Sequence, residues 1–259
     1  FAFSLEFVRV RRNPTWARAA LVVATAAGLL AHSLFLLNDF TAEGALPIST
    51  ADWLLWAALI LAFVYLATIF YLPNTPTGVA MLPIVLGLVV GAKFASHAPL
   101  TNERSFYLWG TFHGSVLLLG TVTVSVGFLA GLMYLLQSYA LKHRKSAANR
   151  LRLPSLEWLE GVNSRSLGVS AVLIALGFGS GLVMSLLSHR GDVQYHLWRD
   201  PVVLSLAAML LWLIAAEVFR LVYPAARGGR KVAYLTLASF VFLLITLAAF
   251  TLVDSVHAS

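Results

Sequence analysis

Residues 112–164 read FHGSVLLLGTVTVSVGFLAGLMYLLQSYALKHRKSAANRLRLPSLEWLEGVNS. The stretch opens with His113 at the mouth of an apolar run that continues almost without charge to Leu141. The run closes on Lys142, His143, Arg144 and Lys145, followed by Arg150 and Arg152. Pro154 and a short amphipathic piece, SLEWLEGV, come next. An apolar span closed by cations predicts a membrane helix that emerges on the cytoplasmic side. His113 then falls on the outer side, where an imidazole is either a metal ligand or an ordinary interfacial residue.

The composition extends this reading to the whole chain. Of 259 residues, 59% are hydrophobic and only 11% are charged. Such a balance excludes a soluble domain and predicts an all-α, polytopic membrane bundle. Residues 1–259 form one integral membrane domain in this reading. The net charge of +7 raises nucleic acid as a partner, but its distribution follows membrane topology instead, so no nucleic acid is expected. The absence of cysteine removes disulfides, thiolate metal sites and CxxC redox chemistry from this chain.

Seven full spans are expected, at 17–38, 52–72, 77–95, 112–137, 167–188, 202–223 and 232–253. Residues 1–8 read as the end of an eighth span that precedes the others. FAFSLEFVRVRR is not a signal peptide, whose charges would come first. Placing Arg9, Arg11, Arg12 and Arg18 inside makes the loops at 142–165 and 224–231 cytoplasmic as well. Only Lys93, Arg104, Arg190 and Arg199 of the 18 cations then lie outside. The expected location is a bacterial inner membrane, multi-pass, with the C-terminus outside. All the histidines except His143 fall on the outer half, with His32 inside the first full span and His257 near the C-terminus.

Other features have plainer readings. The outer segments at 96–111 and 189–200 carry Tyr107, Trp109, Tyr195 and Trp198, which suit an interfacial aromatic belt. PNTP at 73–76 is a tight turn. Gly127 with Gly131, and Gly177 with Gly181, have the GxxxG spacing that lets helix backbones approach closely. Glu217 and Arg220 sit three apart near the inner end of a span and can pair on one face. The chain has no P-loop, GxGxxG, HExxH or GxSxG pattern, and no carboxylate pair is placed for hydrolysis. No catalytic residue is assigned.

The order of these pieces resembles the cytochrome c assembly membrane family, closest to its HemX-like and CcsA-like members. The resemblance rests on His113 opening a span, GLMYLLQ at 131–137, the basic loop, and LPSLEWLEGVNSR at 153–165. It continues through HLWRDPVVLSLAAMLLWL at 196–213, DSVHAS at the C-terminus, and AGLLAHSLFLL with His32 upstream. It implies haem handling in c-type cytochrome biogenesis. His113 and His257 then take outer-face ligand positions, His32 takes an intramembrane position, and Trp198 belongs to the haem-covering segment. The implied cofactor is haem b, and the implied partners are membrane lipid, haem, and a membrane protein or apocytochrome c. Two departures resemble the HemX-like branch: Arg220 stands where a second intramembrane histidine is expected, and the Trp-rich segment is reduced to Trp198, Asp200 and Pro201. That branch implies regulation of tetrapyrrole synthesis. A non-catalytic membrane subunit of a respiratory or assembly complex is a further alternative. Imidazole is a good iron ligand, and Arg104, Arg190 or Arg199 can pair with propionates.

Overall fold

The computed structural model describes residues 2–12, 15–43, 49–72, 75, 77–95, 107–142, 154–188, 200–223 and 229–252. Among them the regular structure is all α-helical: α1 (Ala2–Arg12), α2 (Thr15–Glu43), α3 (Thr50–Tyr71), α4 (Thr77–Phe94), α5 (Tyr107–Lys142), α6 (Leu156–Ser188), α7 (Pro201–Val222) and α8 (Gly229–Leu252). The seven helices α2 to α8 are each long and apolar enough to cross a membrane. Helices suit these sequences because a bilayer offers no water to backbone N–H and C=O groups, and a helix satisfies them within one segment. Large apolar side chains such as Leu30, Phe63, Val172 and Leu211 remain exposed on the outside of the bundle. In lipid that exposure carries no hydrophobic cost.

The helix boundaries differ most from the sequence reading in α5 and α6. α5 begins at Tyr107 rather than at 112 and continues to Lys142, for 36 residues. α6 begins at Leu156 rather than at 167, so the amphipathic piece SLEWLEGV is not separate but forms the first turns of a 33-residue helix. Apolarity marks where a helix lies in hydrocarbon, not where its hydrogen-bonded ladder stops. At 1.5 Å per residue the two helices are about 54 and 50 Å long, well beyond the ~30 Å hydrocarbon core. α5 and α6 pack against each other more extensively than any other pair of helices. Leu159, on an early turn of α6, is fully buried and belongs to an apolar cluster drawn mostly from α3 and α5.

α5 belongs to both halves of the bundle. One apolar cluster joins it to α2, α3 and α4 through Leu21, Leu61, Tyr65, Met81, Leu129 and Met133. A second joins it to α6, α7 and α8 through Val124, Leu167, Ile174, Met209 and Leu213. Its glycines make the close approaches possible. A Cβ on Gly120 would lie 2.7 Å from Ile174 of α6, and one on Gly131 would lie 2.8 Å from the Thr236 hydroxyl of α8. Asn163 is buried at this three-helix junction. With its amide oriented to satisfy both ends, it donates to Thr236 Oγ1 at 2.8 Å and Gly127 O at 3.1 Å, and accepts from Ala233 N at 3.1 Å.

Helix ends follow ordinary capping chemistry. At the start of α3, Ser49 Oγ accepts from Asp52 N at 3.1 Å, and the Asp52 carboxylate accepts from Ser49 N at 3.0 Å. At the start of α7, Asp200 Oδ1 accepts from Val202 N at 2.8 Å, with Pro201 in the first turn. The turn after α3 is visible at Thr75, whose N–H donates to Leu72 O at 3.0 Å. α1 carries Glu6, which is fully buried. Its Oε1 accepts from Gly78 N at 3.1 Å, an amide in the first turn of α4 that has no acceptor within its own helix. This contact ties α1 to α4.

Candidate functional site

His113 sits two turns into α5, and its ring lies against α6. Nδ1 is 2.8 Å from Gly177 O and 3.0 Å from Ser180 Oγ. A carbonyl oxygen only accepts, so the proton of the neutral ring belongs on Nδ1. Ser180 Oγ also donates to Gly177 O at 2.8 Å, leaving its lone pairs to share the imidazole N–H. The neutral ring therefore carries its basic lone pair on Nε2, the arrangement in which a backbone carbonyl orients a metal-binding histidine.

The small residues of α6 set the ring's position. A Cβ on Gly181 would fall 2.6 Å from His113 Cε1 and 3.2 Å from Nδ1. A Cβ on Gly177 would collide with Leu117, one turn further along α5. The Gly177–Gly181 pair thus does the packing expected of GxxxG, and one of the two side chains it admits is the candidate ligand. On another side, Gly114 abuts the Trp53 ring of α3 so closely that a Cβ there would clash. Trp109, one turn before His113, donates its indole N–H to Ser180 O at 3.0 Å and packs against Phe112 with ring centroids 6.2 Å apart. Sequence reasoning assigned Trp109 to the aromatic belt and did not join it to the histidine. The signal was their i, i+4 spacing, which places them on one face only if the helix starts before residue 112.

His32 lies on α2, about 16 Å from the Glu43 end of that helix. Its Nε2 is shielded and makes no hydrogen bond among the described residues. α2 packs on α1 and α3, whereas His113 packs on α6, with Trp53 of α3 beside the neighbouring Gly114. The two histidines are therefore carried by helices that share α3 as a neighbour. His257 and Trp198 lie outside the described residues, as do His97, His143, His189 and His196. Among the described residues no three His, Cys, Asp or Glu side chains converge on a metal site.

Near the opposite end of the bundle, Arg220 occupies the position where the family resemblance leads one to expect a further histidine. Its Nε donates to Glu217 Oε2 at 3.0 Å, and Nη2 lies 2.8 Å from the same oxygen. Nη1 donates to Ser164 O at 2.8 Å and also bonds the Ser164 hydroxyl. These contacts clamp α7 to α6 beside Gly168, where a Cβ would lie 3.1 Å from Glu217 Oε1. A guanidinium has donors and no lone pair to offer a metal, so this locus is a clamp rather than a ligand position.

An iron porphyrin is compatible with the His113 end of the bundle on two counts. His113 is in the tautomer that suits ligation, and His32 presents a shielded nitrogen without a protein partner among the described residues. Comparison with known proteins bears on the same question. The sequence model of the family described as Cytochrome C assembly protein matches residues 19–257. No curated protein and no solved structure matches the chain.

Proposed function

The chain belongs to the cytochrome c assembly protein family, and from that premise we propose that it holds haem b at its outer face during maturation of c-type cytochromes. The family assigns the role in c-type cytochrome biogenesis and the association with haem. The choice of residues is our own. The observation that carries it is the hydrogen bond from His113 Nδ1 to Gly177 O, which orients the imidazole and leaves Nε2 basic.

In this reading His113 and His257 would hold the iron of the haem, with His32 as the alternative partner from deeper in the bilayer. Trp198 would pack against the porphyrin. Ser180 and Gly177 hold the His113 proton on Nδ1, and Gly181 leaves room for the ring. When bound, haem supplies an iron porphyrin whose vinyl groups can be joined to cysteines, and those cysteines must come from an apocytochrome c or a membrane partner because this chain has none. The chain carries out no bond chemistry alone. It works as one integral unit in a bacterial cytoplasmic membrane with its C-terminus outside.

A second reading is favoured by one observation. Arg220 is committed to Glu217 and Ser164, so this position offers no additional ligand of the kind expected of a haem exporter. This suits a HemX-like regulator of tetrapyrrole synthesis. Reduced-minus-oxidised spectra with pyridine haemochrome quantitation test the haem site. The expected result is a b-type spectrum near one haem per chain, lowered in His113→Ala and His257→Ala and unchanged in His143→Ala. Equal haem in all three variants would overturn the assignment. Full c-type cytochrome maturation in cells lacking the protein would move the conclusion to the regulatory reading.

A further inference from the structure

Where α5 ends and α8 begins, the two helices frame a groove of about 460 Å³. It is distinct from the histidine site and lies at the end of the bundle that the charge asymmetry assigns to the inside. Leu132, Leu136, Tyr139 and Lys142 follow one another along α5 at spacings of four, three and three, so they line one face that grades from apolar to cationic. Arg230 and Tyr234, one turn apart on α8, form the facing wall. Arg230 Nε donates to Ser138 Oγ at 2.9 Å, which fixes the guanidinium across the gap between the helices. Its terminal nitrogens are not committed to any other described side chain. Among the described residues no carboxylate lines the groove.

We propose that this groove binds an anionic phospholipid. The headgroup phosphate lies between Lys142 and Arg230, the glycerol region lies against the Tyr139 and Tyr234 rings, and one acyl chain runs along Leu132 and Leu136. Two cations without a lining carboxylate call for an anion, and a basic pocket between helix ends at the membrane surface is a physical match for a lipid phosphate. The leucine wall selects the source. Free phosphate has nothing to place there, whereas an amphiphile fills the groove in the order in which its chemistry changes. Leu136 and both tyrosines are already exposed on the bundle surface, where lipid has direct access.

The test uses the intact, detergent-purified chain titrated with short-chain phosphatidylglycerol, phosphatidylcholine of equal chain length, and inorganic phosphate, with adducts counted by native mass spectrometry. Phosphatidylglycerol is expected to bind in preference to phosphatidylcholine. Lys142→Gln and Arg230→Gln are each expected to weaken it about fivefold, and the double variant about 25-fold, the loss expected for each cation removed from an anionic lipid surface. Lys231→Gln removes a cation that sits over the Tyr223 ring instead, and should leave binding within about twofold. The charge-conserving pair Lys142→Arg and Arg230→Lys should retain binding, and it serves as the folded reference if the neutral variants do not insert. Equal binding of the two lipids, full retention by the neutral double variant, or loss in the charge-conserving pair would each overturn the proposal. Displacement of the lipid by equimolar inorganic phosphate would reduce the groove to a simple anion site. Displacement by haem would assign it to the porphyrin. Either outcome also overturns it.

Discussion

At the start of α5, where it meets α6, the polar contacts converge on a single imidazole. Gly177 O and Ser180 Oγ both face His113 Nδ1, and Gly181 has no side chain where the imidazole lies. Toward the other end of α6, the polar contacts close on each other: Arg220 reaches Glu217 on its own helix and Ser164 on α6. Both clusters join α6 to a neighbour through a side chain that reaches its backbone. They differ in what they fix. The clamp commits both ends of its guanidinium to the protein and leaves Glu217 Oε1 buried without a hydrogen bond among the described residues, whereas the histidine's contacts determine which ring nitrogen carries the proton of the neutral form. The first arrangement holds two helices together, and the second orients a ring.

The contrast can be broken at three places. The largest effect is expected at the clamp. Arg220→Leu leaves the Glu217 carboxylate, whose side chain is only 17% exposed, without its cation. It should cost about 3 kcal/mol, read as a lowered midpoint in detergent unfolding. The double variant Glu217→Leu with Arg220→Leu should recover most of that loss, because no lone charge remains. An intermediate effect is expected from two glycines on α6 that differ only in what faces them. Gly181→Ala sets a methyl against the His113 ring and should cost about 2 kcal/mol while lowering haem content. Gly179→Ala meets nothing within 4 Å and should stabilise the chain by about 0.5–1 kcal/mol through helix propensity, with haem content unchanged. If the two substitutions behave alike, the ring's position is not set by Gly181. The smallest effect is expected from Ser180→Ala. It removes one of two partners of Nδ1 and should cost about 1 kcal/mol, with a smaller fall in haem content than His113→Ala.

Much of the fold could be read directly from the sequence, because hydropathy in a polytopic chain carries a strong signal. Runs such as LLLGTVTVSVGFLAGLMYLL have few alternatives to a span. The ends of the helices could not be read in the same way. α5 and α6 persist beyond their apolar stretches because they pack on each other, a tertiary effect that the local pattern does not encode. That hid the shared face of Trp109 and His113. His113 was legible as an imidazole near the start of a span, but its hydrogen bonds to an α6 backbone carbonyl and hydroxyl depend on a neighbour 64 and 67 residues away. GxxxG spacing announced close packing but not its partner, and the ring of His113 is that partner at Gly181. Glu6 gave no signal at all. One acid in a short segment has no periodicity, and its meaning appears only when the amide of Gly78 is brought to it.

α5 crosses from Tyr107 to Lys142 without a proline, unlike α4 with Pro83 at its middle. An unbroken helix behaves as a beam rather than a chain of hinges. His113 and Lys142 stand near its two ends, about 44 Å apart along its axis. The beam is longer than the hydrocarbon is thick, and its tilt is held by the helices packed along it. A tilt of about 5° about the middle would swing each end by about 2 Å in opposite directions. The imidazole and the groove thus stand on opposite arms of one lever, whose pivot is the packing of α5 against α6 and α8.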